Sequence, residues 1–323
     1  GEIQQDNDIS NNSFHVIFNN NTAVNPLTNT AILDGFTITG GNANGSPPHH
    51  LGGGMYNYYS SPNLVNCSFS DNKAINNGSG MYNYRSSPSL MNCSFSGNQA
   101  NYGGGMFNIN ASPNLVNCSF SGNKANSGGG IYNNDNSLPS LINCSFSGNQ
   151  AQDGGGMTNY LYSSPSLVNC SFSGNQAYPG GGMANSLYSS PTLKNCILWG
   201  NSSEVSNDNN SPTYTNTLVK GLVVGGFQGT EDPLFVNQPP VGLGTTGDLR
   251  LQSCSPVLNA GNNAANTSTT DLDGNNRKFG VIDLGAYEYQ ANSVSKPTAS
   301  ASTTKPTVCF GANLALSASG RVL

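Results

Sequence analysis

Charge is scarce in this chain: Asp, Glu, Lys and Arg together make up 8% of 323 residues, and the formal net charge is -5. No run of basic residues supplies the electrostatic footprint of a nucleic-acid or anionic-membrane partner, so neither is expected. No apolar stretch reaches the roughly 18–20 residues that span a bilayer, which leaves no expectation of direct membrane insertion. The sequence opens at Gly1 without a signal peptide; the expectation is that processing or truncation removed whatever addressed it. In place of charge stand 40 glycines, with Asn and Ser filling much of the rest. Such a composition suits a compact two-layer domain poorly and approaches that of disorder. Disorder has no strict apolar period, however, and this chain has one.

Six cysteines, Cys67, Cys93, Cys118, Cys144, Cys170 and Cys196, follow one another at steps of 26, 25, 26, 26 and 26 residues. The unit around them reads S-P-x-L-x-N-C-S-F-S-G-N-x-A, then a short variable loop, then G-G-G-M-Y-N. Leu64, Leu90, Leu115, Leu141, Leu167 and Leu193 hold one position throughout, whereas the next holds Val65, Met91, Val116, Ile142, Val168 and Lys194. A position that accepts Lys faces water. Strict alternation from an inward Leu64 would then throw Cys67 and Phe69 outside, which is implausible for a Cys row and a Phe row. A left-handed conformation at Asn66 resets the parity, and Asn tolerates that region better than other non-glycine residues. Stacked corners would make the amides of Asn66, Asn92, Asn117, Asn143, Asn169 and Asn195 an asparagine ladder at a strand spacing of about 4.8 Å. The same argument extends to Asn72, Asn98, Asn123, Asn149 and Asn175.

The stretch L-x-x-C-x-F-x-x-N also fits the signature of leucine-rich repeats, whose period overlaps this one. Those repeats need further apolar positions on their convex side. Here that side carries G-G-G-M, Y-N and S-S-P, poor helix formers throughout. The fold expected is therefore all-β: a right-handed parallel β-helix, a pectate-lyase-like solenoid of about 26 residues per coil, closed by a β-rich C-terminal cap.

The pairing of Gly-Gly-Gly-Met or Ile (Met55, Met106, Ile131, Met157, Met183) with Phe-x-x-Asn (residues 69–72 and four further copies) resembles the GGA(I/L/V) and FxxN repeats of chlamydial polymorphic outer-membrane proteins. Residues 31–41, with 271–277 and 283–288, resemble secreted right-handed β-helix repeat proteins of Bacteroidota known as choice-of-anchor proteins. Together these likenesses run over residues 13–290. They imply a β-helix fold and an extracellular or cell-surface location, and the first implies adhesion. No cell-wall or membrane anchor of the kind such families carry is visible.

Organisation follows from the period. Residues 1–201 form the helix, with two irregular coils preceding the regular ones at 52–201: F-x-x-N-x-A appears at Phe18 and, with one extra Gly, at Ile38. Residues 202–290 hold irregular final coils and the cap, with short strands near 214–219, 234–236 and 249–251. Capping hides the unpaired groups of a terminal coil. Residues 291–307 read as a Ser/Thr/Ala/Pro linker, and 308–323 as the start of a truncated Ig-like domain, far short of the roughly 100 residues that fold needs. The natural protein is expected to continue.

Candidate sites are few. The Cys row brings Cα atoms within disulfide reach but points its side chains in parallel, so free, buried thiols are expected; Cys254 and Cys309 could pair only with distant partners. Asp271-x-Asp273-Gly274-Asn275 places oxygens at alternate positions, as a calcium loop does, although Asx turns explain the pattern as well. No cofactor other than calcium is suggested. Tyr56, Tyr82, Phe107 and Tyr132 follow the inward Met or Ile and should stack along the outside, either as a contact surface for sugar rings or protein or, more simply, as a brace between coils. Two serine rows, starting at Ser68 and Ser70, should point outward. Serine lacks the methyl group of ice-binding T-x-T faces, which makes ice binding a remote alternative. His49 and His50 read as a solvated loop, and the corner asparagines of the Asn-Cys-Ser triplets as poor glycosylation acceptors.

Glycoside hydrolysis needs a carboxyl pair, and elimination needs a base with a stabilising cation. Between residues 52 and 201 the charged residues are Asp71, Lys73, Arg85, Lys124, Asp135, Asp153 and Lys194, at dissimilar repeat positions. The expected function is a non-catalytic extracellular or cell-surface structural or adhesin module of a larger secreted protein. Its partners would be glycans, another cell surface or sibling subunits. The alternative is a polysaccharide lyase or hydrolase with its site in residues 200–290.

Overall fold

The computed structural model describes residues 13–244 and 247–290. The expected linker, the Ig-like start and Cys309 lie outside the described residues. Apolar positions come in three groups per repeat, and each group becomes one short strand. Stacking them gives three eight-stranded parallel sheets, so the chain is a right-handed parallel β-helix. One sheet contains Met55–Tyr58 and Met81–Tyr84, the second Asn63–Val65 and Ser89–Met91, the third Ser68–Ser70 and Ser94–Ser96; they are the Met, Leu and Phe sheets below. Equivalent residues pair without slippage: Leu90 lies between Leu64 and Leu115, and Phe95 between Phe69 and Phe120.

The parity argument holds at every corner. Asn66, Asn92, Asn117, Asn143, Asn169 and Asn195 have φ between 52° and 54°, and Leu, Cys and Phe on either side all point inward to a core with no exposed member. The six row cysteines are free. Burial pushes the thiols of Cys144, Cys170 and Cys196 well up, which suits small apolar fillers rather than reactive groups. Cys254, in contrast, is disulfide-bonded. The core phenylalanines stack ring on ring at 4.3–4.9 Å.

Three asparagine ladders run the length of the solenoid. At the Asn66 corner each Nδ2 donates to the preceding coil, as from Asn143 to Asn117 at 3.0 Å. At the Asn72 corner donation runs the other way, from Asn98 to Asn123 and from Asn123 to Asn149 at 2.9 Å. A third ladder, unforeseen, joins Asn19, Asn57, Asn83, Asn108, Asn133, Asn159, Asn185 and Asn207 at 2.8–2.9 Å. Its signal was the constant Asn closing G-G-G-M-Y-N. The glycine run is equally physical. A Cβ on Gly54, Gly105 or Gly156 would meet the carbonyl oxygen of the next coil at 2.5–2.6 Å, closer than real Cβ atoms come.

Two expectations need correction. A single long coil, not two, precedes the regular ones: Ile17 pairs with Met55, Leu33 with Leu64 and Ile38 with Phe69. Phe18 therefore occupies the register of Tyr56, on which it stacks at 5.0 Å, rather than that of Phe69. Secondly, His49 is no solvated loop residue. The long first coil brings His15 to it, Nε2 to Nδ1 at 2.9 Å.

Within the buried Asn72 ladder, the Asn123 side chain accepts from the Asn98 amide and Nδ2 and donates to Asn149 and to the Phe95 carbonyl. Asn123→Ala strands several of these groups in a dry interior, so a loss of about 3 kcal/mol or more is expected. Asn66→Ala, at an exposed rung, strands no buried group and should cost less, about 1–2 kcal/mol, chiefly for holding Ala in the left-handed conformation of that corner. Urea unfolding of both variants checks the order; equal losses would remove the ladder from the account of stability.

Candidate functional site

On the Phe sheet the sequence S-F-S buries Phe and turns both serines outward. In the coil at Cys196 the pattern breaks: Ile197 pairs with Ser171, Leu198 with Phe172, and Trp199 follows. Ile197 and Trp199 thereby carry apolar groups onto the outer face. They seat a second core with Leu218, Phe235, Leu249, Leu251, Val257 and Leu284. Thus the segment after the last coil, Thr213–Thr215 with Leu218–Val219, does more than close the end of the stack. It folds back along the side of the solenoid. The expected strands are present, with Phe235–Asn237 antiparallel to Asp248–Leu251.

The returning chain reads the Asn66-type corner rung by rung. Asn195 Oδ1 accepts from the Asn262 amide at 2.8 Å, Asn169 donates to Asn266 Oδ1 at 2.9 Å and Asn143 to the Thr270 carbonyl at 2.7 Å. A buried turn follows. Arg277, fully enclosed, donates to the carbonyls of Asp283 and Gly285 and lies 3.8 Å from Glu288. The chain then crosses the serine face, where the Ala286 amide donates to Ser171 Oγ at 3.0 Å and the Tyr287 hydroxyl meets Ser145. On the opposite flank the Gly242 and Gly244 amides donate to the Gly174 and Gly148 carbonyls at 3.1 and 2.9 Å.

Between the two flanks lies a trough. One cleft of about 370 Å³ is bounded by Ser94, Ser119, Asn117, Asp273 and Tyr287, and an adjoining one of about 400 Å³ by Ser96, Ser119, Ser121, Ser145, Ser147 and Tyr287. Ser119 and Tyr287 line both. Beside it Arg250 forms a bidentate pair with Asp248, both contacts 2.8 Å, and approaches Asp273 at 3.9 Å. Arg250 holds Asp248 below the usual carboxylate range, whereas burial raises Asp273.

The two carboxylates of the calcium reading have protein partners. Asp271 is buried; its Oδ1 accepts from the amides of Asp273 and Asn275 and its Oδ2 from that of Glu288. Its carboxylate ties the loop to itself as an Asx turn does, while Asp273 faces Arg250. Among the described residues no three His, Cys, Asp or Glu side chains gather as a metal site. The contact-surface reading of Tyr56, Tyr82, Phe107 and Tyr132 is also corrected. These rings stack at 5.3–5.6 Å and retain only 4–8% exposure, covered by Leu51, Tyr58, Tyr84 and Ile109. They brace the coils. The trough itself escaped the sequence because its walls come from residues several coils further along the chain than its floor; the legible clue was C-I-L-W in place of C-S-F-S.

The chain is a β-helix repeat protein. One stretch, residues 117–134, matches the Chlamydia polymorphic membrane protein repeat. Among solved structures it is similar to the crystal structure of pectate lyase Pel9A, at 15% identity over 74% of this chain and 69% of that one, with a TM-score of 0.37. No curated protein matches.

A pH dependence follows from the buried turn. Burial pushes the Glu288 carboxyl up to about 7, against the smaller opposing pull of Arg277, and raises Asp283 as well. The folded chain thus holds these protons more tightly than the unfolded one. Their stabilisation is complete below the ordinary carboxyl range and is lost as pH rises toward about 7. Hydrogen exchange of residues 271–290 should quicken beyond its intrinsic pH trend over that interval, and Glu288→Gln should flatten the excess; an unchanged slope in that variant would assign the effect elsewhere.

Proposed function

We propose that the chain is a non-catalytic structural and adhesive segment that works outside the cell or on its surface, displaying rows of identical polar side chains to a glycan, another cell or a sibling subunit. One observation carries this reading: along residues 52–201 no charged side chains line up from coil to adjacent coil. Lys73 and Lys124 share a column but are separated by Gln99, and Asp135 is held by the Asn110 amide at 2.7 Å. The Phe-sheet face repeats Ser and the corner beside it Asn instead. Such a surface offers hydrogen bonds at fixed intervals and holds neither the carboxyl pair nor the base and cation that cleavage of a glycosidic bond uses. The match to a polymorphic membrane protein repeat supports a surface placement.

A second reading, polysaccharide processing, draws on Asp248, Arg250 and Asp273, a carboxylate–guanidinium–carboxylate set beside the trough. Incubating the protein with neutral and acidic polysaccharides, while following reducing ends, unsaturated products and retention on polysaccharide- and cell-coated surfaces, separates the two. Retention without products is expected. Products that disappear in Arg250→Ala or Asp273→Asn would replace the adhesive reading with the enzymatic one.

A further inference from the structure

The trough on the Phe sheet is flanked on both sides by the returning chain. Its floor is a grid of hydroxyls, spaced about 4.8 Å from coil to coil and about 7 Å along each strand. The hydroxyls of Ser96, Ser119, Ser121 and Ser147 have no protein partner among the described residues. Each can both donate and accept.

Three classes of occupant fit poorly. An apolar ligand would strip water from these hydroxyls and return nothing. A peptide adding as a strand needs free backbone groups, but those of the floor are already paired within the Phe sheet. An anion needs an uncommitted cation or a cluster of amides, and Arg250, beside the trough, has its charge offset by Asp248, to which its Nε and Nη2 are bonded, and by Asp273 at 3.9 Å. Asp248, Arg250 and Asp273 together carry a net charge of -1, which repels acidic chains.

We infer that this trough binds a neutral, hydroxyl-rich polysaccharide chain lying along the solenoid axis, with sugar hydroxyls on the serine grid and Tyr287 against a ring at the junction of the two clefts. The inference rests on the adhesive reading and narrows it to one face and one ligand class. Serine and sugar hydroxyls satisfy each other as mutual donors and acceptors. The half-buried tyrosine offers an apolar ring beside a polar tip, the combination that suits the face and edge of a pyranose. The Asp273 carboxylate adds an acceptor for a sugar hydroxyl pair.

Calorimetric titration of the full chain with cellohexaose, xylohexaose, mannohexaose and hexagalacturonate tests this directly, alongside Ser121→Leu, Asp273→Asn and, as a control on the same face outside the trough, Ser70→Leu. At least one neutral hexaose should bind, with affinity reduced ten-fold or more by Ser121→Leu, several-fold by Asp273→Asn and not by Ser70→Leu; hexagalacturonate should not bind. Equal or tighter binding of hexagalacturonate, indifference to Ser121→Leu, or binding of none of the neutral hexaoses would overturn the inference. Adhesion to cell-coated surfaces, measured on the same variants, keeps the two proposals apart. Adhesion that persists unchanged in Ser121→Leu removes the trough and leaves the adhesive reading standing, whereas products from any of the sugars remove the reading itself.

Discussion

Everything in this molecule depends on coils stacking at the spacing of a hydrogen-bonded strand. At that distance each residue sits over its own counterpart, so a side chain is tolerated only if it can lie against a copy of itself. Asparagine passes because its amide donates on one side and accepts on the other, which turns a buried polar group into a continuous chain of bonds. Phenylalanine and tyrosine pass by offset stacking, serine by its small size and dual hydrogen bonding. Charged residues fail, since like charges in register repel, and this explains why so few are present. The composition that first looked like disorder is what strict self-stacking selects.

Glycine answers the same constraint at a different point. Where the chain enters the Met sheet, adjacent coils approach so closely that the last glycine of Gly52–Gly54, and its equivalents, has no room for a Cβ beside the next carbonyl oxygen. The corner before Asn72 uses a left-handed residue, Gly97 or Gly122 in most coils and Asp71 in one. Neither role depends on a tight hairpin, the usual reason for glycine in all-β proteins.

Periodicity made the solenoid readable. Leu64 and Val65 told inside from outside, Lys194 confirmed the wet position, and the parity clash at Cys67 forced the left-handed Asn66 that the structure contains. Where the period failed, so did the reading. Phe18 imitates the F-x-x-N pattern yet lies in the register of Tyr56, because the motif is too short to fix register without a Leu and a Cys before it. The aromatic row was placed on the correct side but given the wrong exposure: stacking hides ring faces, and single-residue patterning carries no information about Leu51 or Tyr84 closing over the edges. The trough was beyond reach for another reason. Its walls depend on a fold-back seated by Ile197 and Trp199, a contact of low sequence regularity, and on Asp271 and Arg277 spending their side chains on backbone groups instead of on a ligand.

The fold-back also makes the two halves of the solenoid mechanically unlike. From Asn195 to Asn117 the corner is tied to a single returning strand of chain that bridges four successive coils, so none of those coils can peel away without breaking ties to the others. Among the described residues no hydrogen bond ties the coils at residues 52–92 to the returning chain. Under tension along the axis the molecule behaves as a spring with a splinted segment: extension is taken up first by the unsplinted turns, while the turns from Asn117 onward keep their spacing, and with it the alignment of Ser119, Ser121, Ser145 and Ser147.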